Sequence, residues 1–468
     1  MSARDALVLG GGPAGLSAAA LLHRRGWSVN VIERAAHVGG LTRTIERDGF
    51  RFDLGGHRFY SKNPAVTGFF ADVIGDDLIE VDRRSSIHFR GRFVDYPIRP
   101  WNALRHVGPL TAARIAADLV RLGLRRTPPG APRSLEDWML RNYGRTLYET
   151  YFKVYAEKVW GLSAQDIDAG LAAQRVKGLD LRATLVNALF RRRPAAVESM
   201  VERFHYPRFG YGQFCDNLAA ELGQRVATST EPVRIRHDGR RLTAIELAGG
   251  GVATCSPEVV VSSIPVTALV RLLDPAPPAA VQQAVDGLGF RAVVFAAVFV
   301  DRPSVRPESW IYFPSPAISF GRVTEPRNWS PDLAPADKTS IVAEHFCDVG
   351  DATWRQDDAA LVARATRDLT AELGFFAPDE VLGSAVVRAP AAYPRMDTGH
   401  RGRLETIERY LDGFANLQVI GRGGMYRYHN TDHVIETAMA CVDRLTGGAA
   451  DPRAVNTELA YHEEKRTA

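Results

Sequence analysis

Apolar residues follow two different periods along the chain. Near the N-terminus, the apolar run from Ala6 to Leu9 leads through glycines into an alanine- and leucine-rich stretch, which Gly26 closes before a second apolar run from Val29 to Ile32. This order predicts a strand, a helix and a second strand. From 287 to 350 apolar and polar residues alternate, most clearly in "FRAVVFAAVFVD", and this period of two predicts strands.

Helical spacing dominates the segment between these two regions. Residues 103–126 carry apolar side chains at helical spacing, and the loop sequence "TPPGAPR" follows them. Ser134 then has the residue type of a helix N-cap with two acidic residues in the first turn, so 134–200 is predicted to be mainly helical. Further along, 231–247 predicts a β-hairpin, and 416–445 predicts a strand, a glycine-rich turn and a helix.

Composition narrows the class of protein. The chain has 468 residues, a net charge of +4 and 52 arginines against 6 lysines. An arginine bias spread along a whole chain is a weak sign of nucleic-acid binding, and none is expected. The four cysteines lack the spacing of a metal site or a disulfide framework, and the longest apolar run is about half a membrane span. We expect a cytoplasmic protein without a bound metal; membrane attachment through 103–126 as an interfacial helix is the weaker alternative.

The turn after the first strand predicts a dinucleotide-binding site. Gly10, Gly12 and Gly15 have GxGxxG spacing between the predicted strand and helix. The first glycine permits the tight turn, the second lets backbone approach a pyrophosphate, and the third lets helix and strand pack closely. The helix N-terminus faces the phosphate charge. Glu33, at the end of the second strand, is suited to accept a hydrogen bond from a ribose hydroxyl.

A second glycine pair indicates which dinucleotide binds. The segment "AAHVGGLTRT" has Gly39 and Gly40 just after the acidic strand end, with Arg43 nearby. This arrangement resembles flavoproteins in which both segments contact the FAD diphosphate, and it does not resemble nicotinamide dehydrogenases. The resemblance implies that the following residues also contact FAD, with Val233 near the adenine: Pro13, Ala14, Arg34, Leu41, Gly56, His57, Val233, Gly421, Arg422, Asn430 and Thr431.

Motifs spread over 6–440 resemble those of UDP-galactopyranose mutases. The stretch "VYAEKVWGLSAQDIDA" is similar to the segment around their mobile tryptophan loop, and "GGHRFYS" to their histidine loop. Near the C-terminus, "GRGGMYRYHNTDHVIE" resembles their GRLxxYRYxDMDxxIE segment, with Asn430 where the mutases tend to have Asp. Further matches occur in the same order at "DYP", "RFGYGQF", "FGRVTE" and "AYPRMD". The glycine motifs are shared with amine oxidases, protoporphyrinogen oxidases and phytoene desaturases.

This resemblance implies roles for individual side chains. In such mutases reduced flavin acts as a nucleophile toward the anomeric carbon of a nucleotide sugar, and no net oxidation occurs. The implied substrate contacts are base stacking by Tyr155, lid closure by Trp160, and binding of the diphosphate by Arg175, Tyr211, Tyr393 and Tyr428. His57, Arg322 and Arg422 would lie beside the flavin. Each of these residues also has a plain structural interpretation, as a surface arginine, a half-buried tyrosine, a turn histidine or a packed tryptophan.

The predicted fold class is α/β, with a discontinuous Rossmann-like FAD-binding domain, a helical insertion and a mixed β-sheet substrate domain. The predicted segments are the FAD-binding domain at 1–62, 201–265 and 406–450, a sheet strand plus helical lid at 63–200, a mainly β substrate domain at 266–405 and a C-terminal tail at 451–468.

Two enzymatic functions remain open at this stage. The first is a mutase that rearranges a nucleotide sugar and needs reduced FAD, with NAD(P)H as the candidate transient reductant. The second is an oxidoreductase that oxidises or desaturates a metabolite in an apolar cavity without a diphosphate clamp. The tyrosine and arginine set favours the first, and a FAD-binding protein without catalysis is the weakest interpretation. A small-molecule substrate is expected in either case, and a homo-oligomer is compatible with the sequence.

Overall fold

The strands of the described residues form two large sheets and three small ones. The computed structural model describes residues 4–96, 108–124, 130–171, 203–255 and 257–457. The strands in these ranges are β1 (Asp5–Leu9), β2 (Ser28–Ile32), β3 (Thr44–Arg47), β4 (Phe50–Asp53), β5 (Leu78–Asp82), β6 (Ser85–Phe89), β7 (Arg92–Asp95), β8 (Arg203–Pro207), β9 (Val226–Ala227), β10 (Pro232–His237), β11 (Leu242–Leu247), β12 (Val252–Cys255), β13 (Val259–Ser262), β14 (Leu273–Asp274), β15 (Phe290–Val300), β16 (Trp310–Tyr312), β17 (Arg322–Thr324), β18 (Thr339–Cys347), β19 (Val381–Pro394) and β20 (Leu417–Val419).

Helices cover the sheets and form a separate insertion. They are α1 (Pro13–Arg24), α2 (Pro64–Ile74), α3 (Pro109–Leu124), α4 (Leu135–Tyr143), α5 (Arg145–Leu147), α6 (Lys153–Trp160), α7 (Gln213–Leu222), α8 (Val266–Arg271), α9 (Ala279–Asp286), α10 (Ala352–Arg355), α11 (Asp358–Arg367), α12 (His400–Leu411), α13 (Gly421–Gly424) and α14 (Thr431–Leu445). Two π-helical turns, Tyr148–Phe152 and Asp368–Glu372, continue α5 and α11. None of the helices in the described ranges combines the length and apolarity needed to cross a bilayer.

The first large sheet is parallel and is built from distant parts of the chain. Its strand order is β20-β13-β1-β2-β9. Alternate residues of β1 are buried on opposite faces, with Val8 packed among side chains of α1 and α14, and Leu7 among those of α8, α9 and α12. A parallel sheet covered by helices on both faces is the Rossmann-like arrangement. The predicted α/β class and the discontinuous Rossmann-like domain are confirmed.

The second large sheet is mixed and has the order β19-β15-β18-β17-β16-β6-β7. All neighbouring strands are antiparallel except β16 and β6, which are parallel. The predicted strands in 287–350 are confirmed, but the expected polar face of "FRAVVFAAVFVD" is absent. Residues Arg291 to Val300 are all buried, since Phe295 packs against β4 on one face and Val298 packs under α11 on the other.

The helical insertion has a core of its own. Ile115, Met139, Tyr148 and Trp160 pack together in it. The predicted N-cap at Ser134 is confirmed: its hydroxyl accepts from the Asp137 amide at 3.1 Å, and the Asp137 carboxylate accepts from the Ser134 amide at 3.4 Å. The predicted helices of 134–200 are present as far as 171. Residues 172–202, including Arg175, lie outside the described ranges, so the predicted diphosphate contact of Arg175 stays a prediction.

Arg291 joins this insertion to the second large sheet. Its guanidinium donates to the carbonyls of Val159 (3.0 Å), Lys158 (3.3 Å) and Phe346 (3.3 Å), and its ion pair with Asp348 measures 2.9 Å. The first two carbonyls belong to the last turn of α6, where a cation also suits the helix dipole. Gly161 then ends the helix with a φ of +63°. The Trp-Gly pair is therefore a helix end held against β15.

Gly161→Ala tests this junction. A Cβ at position 161 would lie 2.5 Å from the guanidinium carbon of Arg291, and the backbone would keep a left-handed φ. We expect the free energy of unfolding to fall by about 1–3 kcal/mol, measured by chemical denaturation. Gly68→Ala is the control, because Gly68 is exposed within α2 with nothing within 4 Å of an added Cβ. That change should stabilise by about 0.5–1 kcal/mol, and equal effects at both positions would contradict the account.

Candidate functional site

A cavity of about 840 Å³ opens at the carboxyl ends of the parallel strands. Segments that directly follow β1, β2, β13 and β20 line it, and the concave face of the second sheet forms another wall. This edge of a doubly covered parallel sheet is where ligands of such folds bind. The predicted site residues on the cavity wall are Gly10, Gly12, Pro13, Ala14, Glu33, Arg34, Gly40, Leu41, Gly56, His57, Arg322, Tyr393, Arg422, Tyr428, Asn430 and Thr431.

The glycine turn leaves room beside the N-terminus of α1. Gly10 has a φ of +103°, and a Cβ on Gly12 would meet nothing within 4 Å, on the side that faces the cavity. A Cβ on Gly15 would lie 2.0 Å from the Gly10 carbonyl oxygen, so this glycine serves helix-to-turn packing and does not line the cavity. The second glycine segment is joined to the turn by the Gly39 amide, which donates to the Gly11 carbonyl at 2.8 Å.

Glu33 is held by the same turn. One carboxylate oxygen accepts from the Gly11 amide and the other from the Ala35 amide, each at 2.8 Å. Each oxygen keeps a further lone pair, so the predicted ribose contact is sterically open and stays a prediction. Val233, expected near an adenine, does not line the cavity and is 50% exposed. Its neighbour Pro232 lines the wall instead, because β10 points alternate side chains to opposite faces.

The opposite wall comes from the C-terminal segment. Gly421 has a φ of +77°, and a Cβ there would lie 2.7 Å from the Ala14 Cβ, so only glycine lets α13 approach α1 this closely. Gly421 packs behind the wall rather than on it. Asn430 is the N-cap residue of α14, and Thr431 is its first residue. The N-termini of α1 and α14 therefore both face one cavity, which favours anionic ligands.

Charged side chains make the cavity electropositive. The arginines on its wall are Arg34, Arg43, Arg58, Arg271, Arg322, Arg388 and Arg422, against the carboxylates of Glu33 and Glu231. Three of these arginines are paired with carboxylates outside the wall: Arg271 with Asp286, Arg322 with Glu344 and Arg388 with Asp358. The remaining arginines, the two helix N-termini and the open face of Gly12 fit the diphosphate of FAD. In such a fit, the turn at Gly10–Gly12 and the segment at Gly39–Gly40 would hold the diphosphate.

Arg322 is fixed by a buried ion pair. Its Nε and Nη2 donate to the two carboxylate oxygens of Glu344 at 2.6 and 2.7 Å. Burial alone would lower the pKa of Arg322, but Glu344 outweighs it and holds that pKa well above its usual value. The histidine segment, "GGHRFYS", begins at Gly55 and passes close to this guanidinium. A Cβ on Gly55 would lie 3.3 Å from Arg322 Nη2, and the φ of Gly55 is +109°, so glycine is needed at this position.

His57 is a neutral, buried group on the cavity wall. Burial, with smaller contributions from Arg322 and Arg422, lowers the pKa of His57 to about 3. Its Nδ1 has no hydrogen-bond partner among the described residues. A neutral imidazole can offer a hydrogen bond without adding charge beside the arginines.

Tyr211 does not contact the cavity, contrary to expectation. It is fully buried behind His57, with the ring centroids 5.4 Å apart, and packs against Phe70 and Tyr206. Its amide donates to Asp53 at 3.1 Å, and the Tyr206 hydroxyl donates to the same carboxylate at 2.6 Å. Burial raises the pKa of Asp53 to about 6, opposed by these hydrogen bonds. Tyr211 thus supports the histidine segment from behind.

Four side chains pack together in what we call the aromatic arginine group: Arg422, Tyr393, Tyr428 and Trp160. The guanidinium of Arg422 lies 4.6 Å from the ring of Tyr393 and 4.8 Å from that of Tyr428. The two tyrosine rings are parallel within 8°, and Trp160 meets each edge-on at 5.9 Å. The β15–β19 register shifts between Arg291 and Val293, which re-aims Tyr393 at the cavity. A cation over an aromatic face is attracted by the negative face of the ring.

Trp160 and Tyr155 lie one layer behind the cavity wall. Trp160 is 8% exposed, and its predicted movement as a lid stays a prediction. Tyr155 meets the edge of Tyr312, which does line the cavity, with ring centroids 5.6 Å apart. Neither residue lines the cavity itself, because both are packed on aromatic residues that do.

Lys158 is a site-supporting residue that the sequence reasoning missed. Its Nζ donates to four backbone carbonyls of one loop, those of Phe313 (2.9 Å), Ser315 (2.9 Å), Ile318 (2.8 Å) and Phe320 (2.7 Å). Burial lowers the pKa of Lys158 to about 8, with Asp368 acting in the opposite direction. Only a compact ammonium fits among converging carbonyls, and a lysine in a chain with 52 arginines was the available signal.

Lys158→Met should separate α6 from this loop. Four carbonyls would lose their donor, so we expect the free energy of unfolding to fall by about 3 kcal/mol. Amide exchange should quicken across 313–320, while bound FAD is retained. Lys153→Met, half-buried in the first turn of the same helix, is the matched control and should change stability by less than about 0.5 kcal/mol. Unchanged exchange in the Lys158 variant would contradict this role.

Comparison with known proteins gives relatives of two activities. Protoporphyrinogen oxidase of the chloroplast from Oryza sativa subsp. japonica is 24% identical over 459 residues, which is 90% of this chain and 84% of that protein. A probable UDP-galactopyranose mutase from Klebsiella pneumoniae is 25% identical over 177 residues, 36% of this chain and 44% of that protein. The crystal structure of a reduced UDP-galactopyranose mutase superposes with a TM-score of 0.83 at 22% identity, covering 98% and 99% of the two chains.

The family itself is defined by a longer match. The sequence pattern described as flavin containing amine oxidoreductase matches residues 13–439, which run from the first residue of α1 through the second glycine segment and the C-terminal glycine turn into α14. The resemblance to mutase-like FAD flavoproteins within this superfamily is confirmed. The protein therefore belongs to the flavin containing amine oxidoreductase family and is an FAD flavoprotein.

Proposed function

We propose that the protein is an FAD-dependent mutase that rearranges a nucleotide sugar between ring forms. The observation that carries this proposal is the aromatic arginine group on the cavity wall. There, Arg422 faces the cavity together with the rings of Tyr393 and Tyr428. One guanidinium and two phenol hydroxyls on adjacent elements suit a group with many acceptor oxygens, such as a diphosphate.

This group would act on the leaving diphosphate. Charge accumulates on a phosphate oxygen when the bond to the sugar carbon breaks, and fixed donors stabilise such charge best when they need not reorganise. Arg422 is fixed by its two aromatic contacts, and Trp160 closes the outer side of the tyrosine pair. Trp160 would thereby keep water from the diphosphate during its separation from the sugar.

His57 and Arg322 would orient the end of the substrate at which the bond between sugar and diphosphate breaks. Arg322 is neutralised by Glu344, so its position rather than its net charge matters there. His57 stays neutral near pH 7 and can donate or accept one hydrogen bond without competing for the diphosphate. Reduced FAD, when bound, supplies a nucleophilic nitrogen, so the reaction needs no net oxidant. NAD(P)H remains the candidate reductant, binding transiently in the same cavity.

An oxidoreductase is the second candidate, and a specific observation favours it. The similarity to the chloroplast protoporphyrinogen oxidase extends over 90% of the chain, whereas that to the Klebsiella pneumoniae mutase extends over 36%. An electropositive cavity would also accept the carboxylates of a porphyrinogen. For such a substrate oxidised FAD would take up hydride, and the phenol hydroxyls would have no diphosphate to bind.

Product analysis separates the two candidates. The FAD-loaded protein, reduced with dithionite in the absence of oxygen, is incubated with pooled UDP-, GDP- and dTDP-sugars, and products are resolved by chromatography and weighed. The mutase proposal predicts a new isomer of unchanged mass, formed with reduced but not with oxidised protein. Arg422→Lys should slow its formation by about a hundredfold, since a lysine cannot reproduce the planar fork.

A different set of results would contradict the mutase proposal. If no nucleotide sugar changes, and the oxidised protein is bleached by protoporphyrinogen or an amine that loses two hydrogens, the protein is an oxidoreductase. Arg236→Lys serves as the matched control, because Arg236 is exposed on β10, does not line the cavity and pairs with Glu246. Its isomer formation should remain within about twofold of the unaltered protein.

A further inference from the structure

His429 is a buried polar side chain without a structural function in the described part of the chain. It is 1% exposed and lines the cavity directly after Tyr428. Among the described residues neither ring nitrogen has a hydrogen bond of good geometry, although the Val455 backbone is close enough to interact weakly with the ring. Leaving a buried donor or acceptor unpaired costs about 1–3 kcal/mol. Such a group on a cavity wall is paired by water or by the ligand.

The charge state of His429 restricts what that partner can be. Burial, followed by His433, Arg427 and Arg422, lowers the pKa of His429 well below its usual value. The imidazole is therefore neutral near pH 7 and offers one N–H donor and one acceptor nitrogen. A phosphate could satisfy only the donor, and a cation would be repelled by the neighbouring arginines. A hydroxyl, which both donates and accepts, matches both nitrogens.

The surroundings of His429 add to this polar, uncharged character. His433 also lines the cavity, with the ring centroids 5.7 Å apart, and its Nδ1 accepts from the Asn430 amide at 3.2 Å. Asn456, from the segment after α14, lines the same wall and donates through Nδ2 to the Tyr428 carbonyl at 3.3 Å. The side-chain oxygen of Asn456 is an acceptor, so this wall presents both acceptors and donors beside His429.

We infer that His429, with Asn456 beside it, forms a hydroxyl-binding subsite that recognises the sugar of the substrate. The inference rests on the proposed function, because it takes Arg422 and Tyr428 to bind the diphosphate. His429 and Tyr428 line the same cavity, so a sugar joined to that diphosphate would lie on the wall that His429 shares. The subsite would select ligands that carry hydroxyls. A ligand without them would cover His429 and leave its ring nitrogens unpaired.

Binding measurements with matched variants test the subsite. UDP and UDP-galactose are titrated calorimetrically into the dithionite-reduced, FAD-loaded protein and into His429→Leu and His429→Gln. The leucine variant should bind UDP-galactose about tenfold more weakly and UDP unchanged. The glutamine variant keeps one donor and one acceptor, so its affinity for UDP-galactose should stay within about threefold. FAD affinity, measured by apoprotein reconstitution, should be equal in all three proteins.

Each of the other outcomes would contradict the inference and would indicate a different role for His429. Equal weakening of UDP and UDP-galactose would mean that His429 contacts the base or the diphosphate. Weaker FAD binding would mean that it contacts the cofactor, and unchanged binding throughout would mean that water satisfies it. If the unaltered protein binds neither UDP and UDP-galactose nor the corresponding GDP and dTDP pairs, the proposed function itself fails and the subsite with it.

Discussion

The structure depends on one electrostatic constraint: cations can be buried at the edge of the sheets only where fixed partners balance them. Three half-buried cations are held by different kinds of partner. Arg322 is paired with Glu344, Lys158 is surrounded by carbonyls, and Arg422 lies against two tyrosine rings. An unbalanced buried charge would be expelled or neutralised. Because these partners come from different elements, balancing the charges also fixes the walls of the cavity.

The helical insertion is also held in place by cations that have fixed partners. Lys158 and Arg291 are the two cations that join α6 to the second large sheet, one through its side and one through its C-terminal turn. They determine where Trp160 lies, and Trp160 in turn packs on Tyr393 and Tyr428. The insertion is thus packed against the cavity wall in this structure, which gives Lys158 and Trp160 of "YFKVYAEKVWG" their structural roles.

Features set by neighbouring residues could be predicted from the residues themselves, whereas features set by distant residues could be predicted only through the family resemblance, and single contacts between them could not. The turn at Gly10 to Gly15 and the cap at Ser134 follow from local sterics and local hydrogen bonds. By contrast, the Lys158 acceptors lie some 155 or more positions away, and no pattern in the sequence joins them. Tyr211 was assigned to a ligand because a motif does not reveal whether a side chain faces a cavity or supports its wall.

The fold accommodates more than one chemistry, so function depends on a few side chains at the substrate end. The central claim is that this end binds a diphosphate beside FAD. A crystal structure of the FAD-loaded protein with a UDP-sugar tests it most directly. The account predicts phosphate oxygens within hydrogen-bond distance of the Arg422 guanidinium and the hydroxyls of Tyr393 and Tyr428. A nucleotide bound elsewhere, with these three groups turned only toward the cofactor, would contradict it.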